Sequence, residues 1–313
     1  MLARTAESLF WLARYMERAD YLARLLQVAG HMSAVRVDEA RASEWESAIV
    51  AAGCHEAFFA HHEAASAETV IAYLAFDRDN PSSIVNCIET ARRNARTVRT
   101  ALTSELWDAV NSSWMELRGF NPSGMDEDRL TVFLDWVKAR TSLVHGVYAN
   151  TMLRRDGFYF TRIGEFLERA DNTARLLDVK YHVRLPTAQD VGGLVDYYQW
   201  LAILRVVGAR RAYRVLFKGQ VEPLRVAELL VLRAEFPRSL VFCFAQIALN
   251  LDAIRSHDPM LSAESKRIAH SQYTDLRFGR IDQVFQFGLH EYLSGIVERC
   301  EELGAEIARG HHF

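Results

Sequence analysis

One helical phrase, written twice, constrains this chain more than anything else in it. Glu17-Arg18-Ala19-Asp20-x-x-Ala23-Arg24-Leu25-Leu26 returns 151 positions later as Glu168-Arg169-Ala170-Asp171-x-x-Ala174-Arg175-Leu176-Leu177. Each copy sets four charged side chains into an otherwise apolar helix. Taking such charges out of water costs several kcal/mol each unless they are paired, so each must meet an opposite charge, a ligand or solvent. A second match keeps the same order. Asn80-Pro81-Ser82-Ser83-x-Val85-x-Cys87 aligns with Phe236-Pro237-Arg238-Ser239-x-Val241-x-Cys243 at an offset of 156. In both, the proline is expected in the first turn of a helix, where its missing N–H is not needed, with Asn80 as the better cap of the two copies. The two landmarks imply tandem halves, roughly 1–153 and 154–313, with no linker composition between them.

Apolar residues recur at i, i+3, i+4 and i+7 along the chain, and strand alternation is nearly absent. The six prolines, at 81, 122, 186, 223, 237 and 259, fall where that periodicity pauses. Helices are predicted near 3–30, 43–54, 66–76, 82–104, 105–118, 126–153, 158–181, 190–204, 208–218, 222–231, 238–256, 262–275 and 279–309. Half of the residues are hydrophobic and a quarter charged, the balance of a folded globular chain. The expected fold is all-α: a single large helical bundle over 1–313, built from two pseudo-symmetric halves.

Laid out at about 100° per residue, the first repeated helix has three faces. Leu9, Leu12, Met16, Ala19, Ala23 and Leu26 form an apolar stripe, matched by Phe160, Ile163, Leu167, Ala170, Ala174 and Leu177. Its alanines imply close helix approach. Glu17, Asp20 and Arg24 share a second face, matched by Glu168, Asp171 and Arg175. A third carries Glu7, Trp11, Arg14 and Arg18, matched by Phe158, Arg162, Glu165 and Arg169. Arg14 in one copy thus stands where Glu165 stands in the other, an exchange suited to pairing two copies across a twofold axis.

Three roles are open for these charges. Glu17–Arg18 and Glu168–Arg169 can be buried ion pairs that fix helix register. Alternatively, Arg14, Glu17, Arg18, Asp20, Arg24, Glu165, Glu168, Arg169, Asp171 and Arg175 line a polar cleft. Such a cleft would bind a small anionic or zwitterionic ligand through bidentate contacts. In a third reading Glu17 or Glu168 is a general base, its pKa raised by burial. Arg92, Arg96 and Arg99 add a basic strip at i, i+4 and i+7, with Arg93 beside it. That strip is either a solvated face or an anion-binding surface, which makes Arg92 and Arg96 secondary candidates.

Composition narrows the remaining classes. A net charge of −3 gives no electrostatic case for nucleic-acid binding. Only four of the 37 basic residues are lysine, a bias that reads either as genomic base composition or as a demand for bidentate pairing by arginine. No apolar run reaches the roughly 20 residues of a membrane span, and Met1–Glu7 lacks the pattern of a signal peptide, so a cytoplasmic protein is expected. Cys54, Cys87, Cys243 and Cys300 show no disulfide or zinc spacing. His55 and His62 are seven residues apart, not four, so no metal is assigned. Neither a nucleophile elbow nor a phosphate-cradling loop is present, and no cofactor is expected in this chain. The terminal Gly310-His311-His312-Phe313 is expected to fray.

Leu9-x-Trp11-Leu12-x-Arg14-Tyr15-x-Glu17-Arg18-Ala19, the start at Asn80-Pro81-x-Ser83 followed by Ala91-Arg92-Arg93-Asn94-Ala95-Arg96, and Glu168-Arg169-Ala170-Asp171 together resemble the alpha-E family. This is a group of bacterial all-helical domains named for a Glu-Arg motif, and the resemblance runs over essentially the whole chain. The family pattern often has glutamate where this chain has Arg93. The resemblance implies partners: a circularly permuted ATP-grasp protein and a transglutaminase-like protein, encoded beside or fused to the helical one. It therefore implies an accessory, substrate-binding or partner-binding role in forming peptide or amide bonds.

Overall fold

A computed structural model describes residues 2–34, 41–120, 122, 125–182, 193–254 and 259–313. Pro186 and the first residues of the helix expected over 190–204 lie outside the described residues. In chain order the first half holds α1 (Ala3–Ala34), α2 (Arg41–Ala51), α3 (His55–Phe59), α4 (Ala67–Ile71), α5 (Ile84–Thr97), α6 (Ser104–Leu117) and α7 (Glu127–Thr151). The second holds α8 (Asp156–His182), α9 (Leu194–Val206), α10 (Arg210–Phe217), α11 (Pro223–Leu232), α12 (Leu240–Ala253), α13 (Pro259–Phe278), α14 (Ile281–Phe287) and α15 (Leu289–His311). A π turn continues α4 through Phe76, and a 3₁₀ turn follows α5 at Arg99–Ala101. No strand occurs among the described residues.

Side-chain caps set several of the starts. The hydroxyls of Ser83, Thr103 and Ser239 and the carboxylate of Asp126 each accept an N–H from the first turn of α5, α6, α12 and α7. Ser66 and Thr69 form a reciprocal capping box at α4. The expected proline start needs correction. Pro81 and Pro237 lie in the turns before Ser83 and Ser239, and the serines do the capping. Asn80 instead accepts the Ser82 N–H and donates to the Tyr73 carbonyl, which shapes the turn.

The two longest helices, α1 and α8, pack along one another and form the axis of the molecule. Helices α5 and α7 flank α1, while α12 and α15 flank α8. Ala19, Ala23, Ala170 and Ala174 are fully buried, as the apolar stripe predicts. At one level the approach is closer than alanine allows. A Cβ on Gly164 of α8 would stand 2.2 Å from the Phe10 carbonyl oxygen of α1. Hydrogen is the largest substituent that fits there. The C-terminus does not fray as expected: α15 runs to His311, and the Phe313 ring packs 5.6 Å from Phe10 and 5.8 Å from Phe160. The helix expected over 279–309 is broken by Gly288, whose φ of +110° no other residue adopts easily.

Candidate functional site

The repeated charges meet in the seam between α1 and α8, and they pair crosswise. Arg169 grips Glu17 with both prongs, Nε and Nη2 donating to the two carboxylate oxygens at 2.8 Å each. Arg18 does the same to Glu168, with Nε at 2.6 Å and Nη2 at 3.2 Å. The ion pairs Glu17–Arg18 and Glu168–Arg169 do not form within a motif. Neighbouring residues on a helix point about 100° apart and cannot face one another. Each glutamate therefore takes the arginine of the other copy. The same geometry corrects the Arg14–Glu165 exchange: Arg14 donates to Glu168 at 2.7 Å, and Glu165 accepts from Arg169 at 2.6 Å.

Around this crossing, six arginines close on four carboxylates that are each 2% exposed or less. Arg238, in the turn before α12, donates to Glu17 at 3.0 Å and to Asp20 at 2.8 Å. Arg24 holds Asp20 from one helical turn away at 2.7 Å and also donates to the Val206 carbonyl. Arg162 donates to Glu165 at 2.7 Å. Helix α7 presents Thr141, His145 and Tyr148 along one face. Thr141 donates to Asp20 at 3.3 Å, His145 Nε2 lies 3.7 Å from Glu17, and the Tyr148 hydroxyl donates to Glu165. Sequence reasoning did not nominate Arg238, Arg162 or the α7 face. The signals were present: Arg238 stands where the first copy has Ser82, which itself touches Arg18 at 3.4 Å, and 141, 145 and 148 share helical spacing.

The electrostatics follow from this closure. Burial would raise the Glu17 and Glu168 pKa values, but the facing guanidiniums outweigh it. Arg169 and Arg238 hold Glu17 far below the carboxylate range, and Arg18 and Arg14 bring Glu168 down to about 2. Neither glutamate has the raised pKa that a buried general base requires, which removes the physical ground for that reading. Asp171 behaves in the opposite way. Burial raises its pKa despite Arg175 at 2.8 Å, and its Oδ1 is buried without a hydrogen-bond partner. Arg175 also reaches Glu301 at 3.4 Å.

Glu17, His145 and Glu165 bring possible metal-ligand atoms within 4.8 Å of one another. Arg169 Nη2 already sits between the two carboxylates, so a dication would have to displace that guanidinium. The histidines noted in the sequence do not converge: His55 is exposed beside Glu46 at 3.9 Å, while His62 stacks on Phe58. The basic strip lies apart from the seam. Arg92 stacks 3.8 Å over Trp114 and donates to Asn111, Arg99 lies over Trp107, and Arg96 is exposed. Two clefts touch the ends of the charged system. One of about 450 Å³ is bordered by Arg154 and Arg162, and one of about 280 Å³ by Arg175, Asp178 and His290.

The chain belongs to the Alpha-E family, described as a predicted alpha-helical domain with a conserved ER motif, whose pattern matches residues 1–312. It is similar to uncharacterized proteins of Mycobacterium bovis and Mycobacterium tuberculosis, 25% identical over 318 aligned residues that cover 94% of this chain. The chain spans about a third, 35%, of the length of those relatives. No solved structure matches it. No helix among the described residues is long and apolar enough to cross a membrane.

Proposed function

We propose that this chain is the helical accessory component of an ATP-grasp-associated system that forms peptide or amide bonds. It would act by binding a substrate or partner, in the cytoplasm, and not by catalysing alone. The observation that carries this reading is the closed crosswise network. Every carboxylate at the crossing is engaged by guanidinium, so the seam offers a rigid, pre-organised platform and no basic carboxylate for proton transfer. Three considerations support it: the family's Glu-Arg motif is the network itself, the mycobacterial relatives join a similar stretch to a longer chain, and all four cysteines are free thiols, three of them buried, which suits a reducing compartment. The partners would be a circularly permuted ATP-grasp protein and a transglutaminase-like protein. The repeated motif and its crosswise pairing also favour an origin by tandem duplication.

Co-purification with the ATP-grasp protein encoded in the same genome, followed by ADP release and mass spectrometry of the product, tests the proposal. The expected result is turnover or product length that depends on both chains. Product formation by this chain alone, or by the ATP-grasp protein equally well without it, would count against it.

A further inference from the structure

The cleft beside Arg154 and Arg162 is where one end of the charged system meets solvent. Arg162, Arg169, Arg238 and Arg24 form a continuous chain of ion pairs with Glu165, Glu17 and Asp20. That is four guanidiniums against three carboxylates, so the chain ends in arginine on both sides, at Arg24 and at Arg162 beside the cleft. Arg154, on the rim, has no carboxylate partner among the described residues and donates only to the Ala149 carbonyl, at 2.7 Å. Burial first, and then the positive charges of Arg169 and Arg154, bring the Arg162 pKa down to about 10. A cation disfavoured by its neighbours in this way gains from an added anion.

The cleft is built to orient what it holds. Arg154 lies 3.9 Å over the Phe158 ring and Arg162 lies 4.2 Å over Phe166. Stacking orients each guanidinium, and the N–H groups not given to Glu165 or to the Ala149 carbonyl can meet a planar acceptor. The amide of Asn250 is buried at the same site, while Leu249 is 63% exposed on its rim without an apolar partner to cover it. The volume, about 450 Å³, falls in the range of small-molecule sites, about 300–1,000 Å³.

We propose that this cleft binds the carboxylate of a small amphipathic molecule, with Arg154 and Arg162 on the carboxylate and Leu249 against its apolar group. The site stands whether or not the chain serves an ATP-grasp partner. Titration calorimetry of the full chain with N-acetyl-phenylalanine tests it, with N-acetyl-phenylalanine amide and inorganic phosphate as parallel probes. Saturable binding of the acid is expected. Loss of about tenfold or more in affinity is expected for the amide and for Arg154→Met, because a charge-assisted contact is removed. Arg154 is exposed and bonded to one carbonyl, so this variant should melt like the parent, whereas Arg162→Met also strips Glu165 of a partner. No saturable binding, equal binding of the amide, equal binding of phosphate, or full affinity in Arg154→Met would each overturn the proposal.

Discussion

Glu168 and Asp171 sit one helical turn apart; burial acts to raise both pKa values, and it prevails only at Asp171. Glu168 takes three N–H donations from two arginines and titrates near 2. Its ordinary unfolded value is about 4.3. The stability it contributes is therefore complete above that value and is lost as pH falls toward 2. A shift of that size corresponds to roughly 3 kcal/mol. Denaturant titrations between pH 7 and 3 should show this acid loss, and Glu168→Gln should flatten it while lowering stability at neutral pH. Asp171 has its pKa raised by burial, so its charged form opposes folding above its unfolded value and the opposition fades as pH falls. Asp171→Asn is expected to leave stability at pH 7 unchanged or slightly higher. A loss approaching the roughly 3–5 kcal/mol of a broken buried charge pair would mean that its bond to Arg175 outweighs its burial.

At the scale of elements, α1 and α8 are held by two devices that differ in kind. Above the crossing, small residues let the backbones approach; at the crossing, forked arginines reach across. Gly164→Ala tests the first. It pushes a methyl into the Phe10 carbonyl and should cost about 1–3 kcal/mol, as over-packing does, measurable as a lower melting temperature. Gly295 has nothing within 4 Å of an added Cβ, and Gly295→Ala, within α15, should be neutral or mildly stabilising. Much of this architecture was legible in the periodicity. Two long helices with matching alanine stripes were bound to pack closely, and Ser83 and Ser239 stand where helix starts were expected. The pairing was not legible, because the Arg14–Glu165 exchange suggested direct contact. Which arginine meets which glutamate depends on rotation and axial offset, which a repeat in the sequence leaves open. Arg238 is not legible as a partner of Glu17 because it lies in the turn before α12 and not in the helix expected from position 238. Thr141, His145 and Tyr148 are not legible because their helix carries no copy of the motif. The break at Gly288 was hidden by an apolar pattern that continues on both sides of it.

Across the whole molecule, the crossing joins residues of the first half to residues of the second, and α7 and the turn before α12 close it from either side. Buried apolar side chains from both parts of the chain pack into one core around it. The network's arginines also end at the Arg154–Arg162 cleft, so ligand binding there should stabilise the fold by mass action. Replacing one partner of the crossing strips the other of its bidentate contact and leaves it a single ion pair, Arg169 with Glu165 or Glu17 with Arg238; breaking a buried pair typically costs up to about 3–5 kcal/mol. The most direct measurement is a double-mutant cycle on Glu17→Gln and Arg169→Met, read by urea denaturation at pH 7. If the crosswise pair locks α1 to α8, each single variant is strongly destabilised, and the double variant recovers at least about 1 kcal/mol relative to the sum of the two. Additivity within about 0.5 kcal/mol would contradict the account.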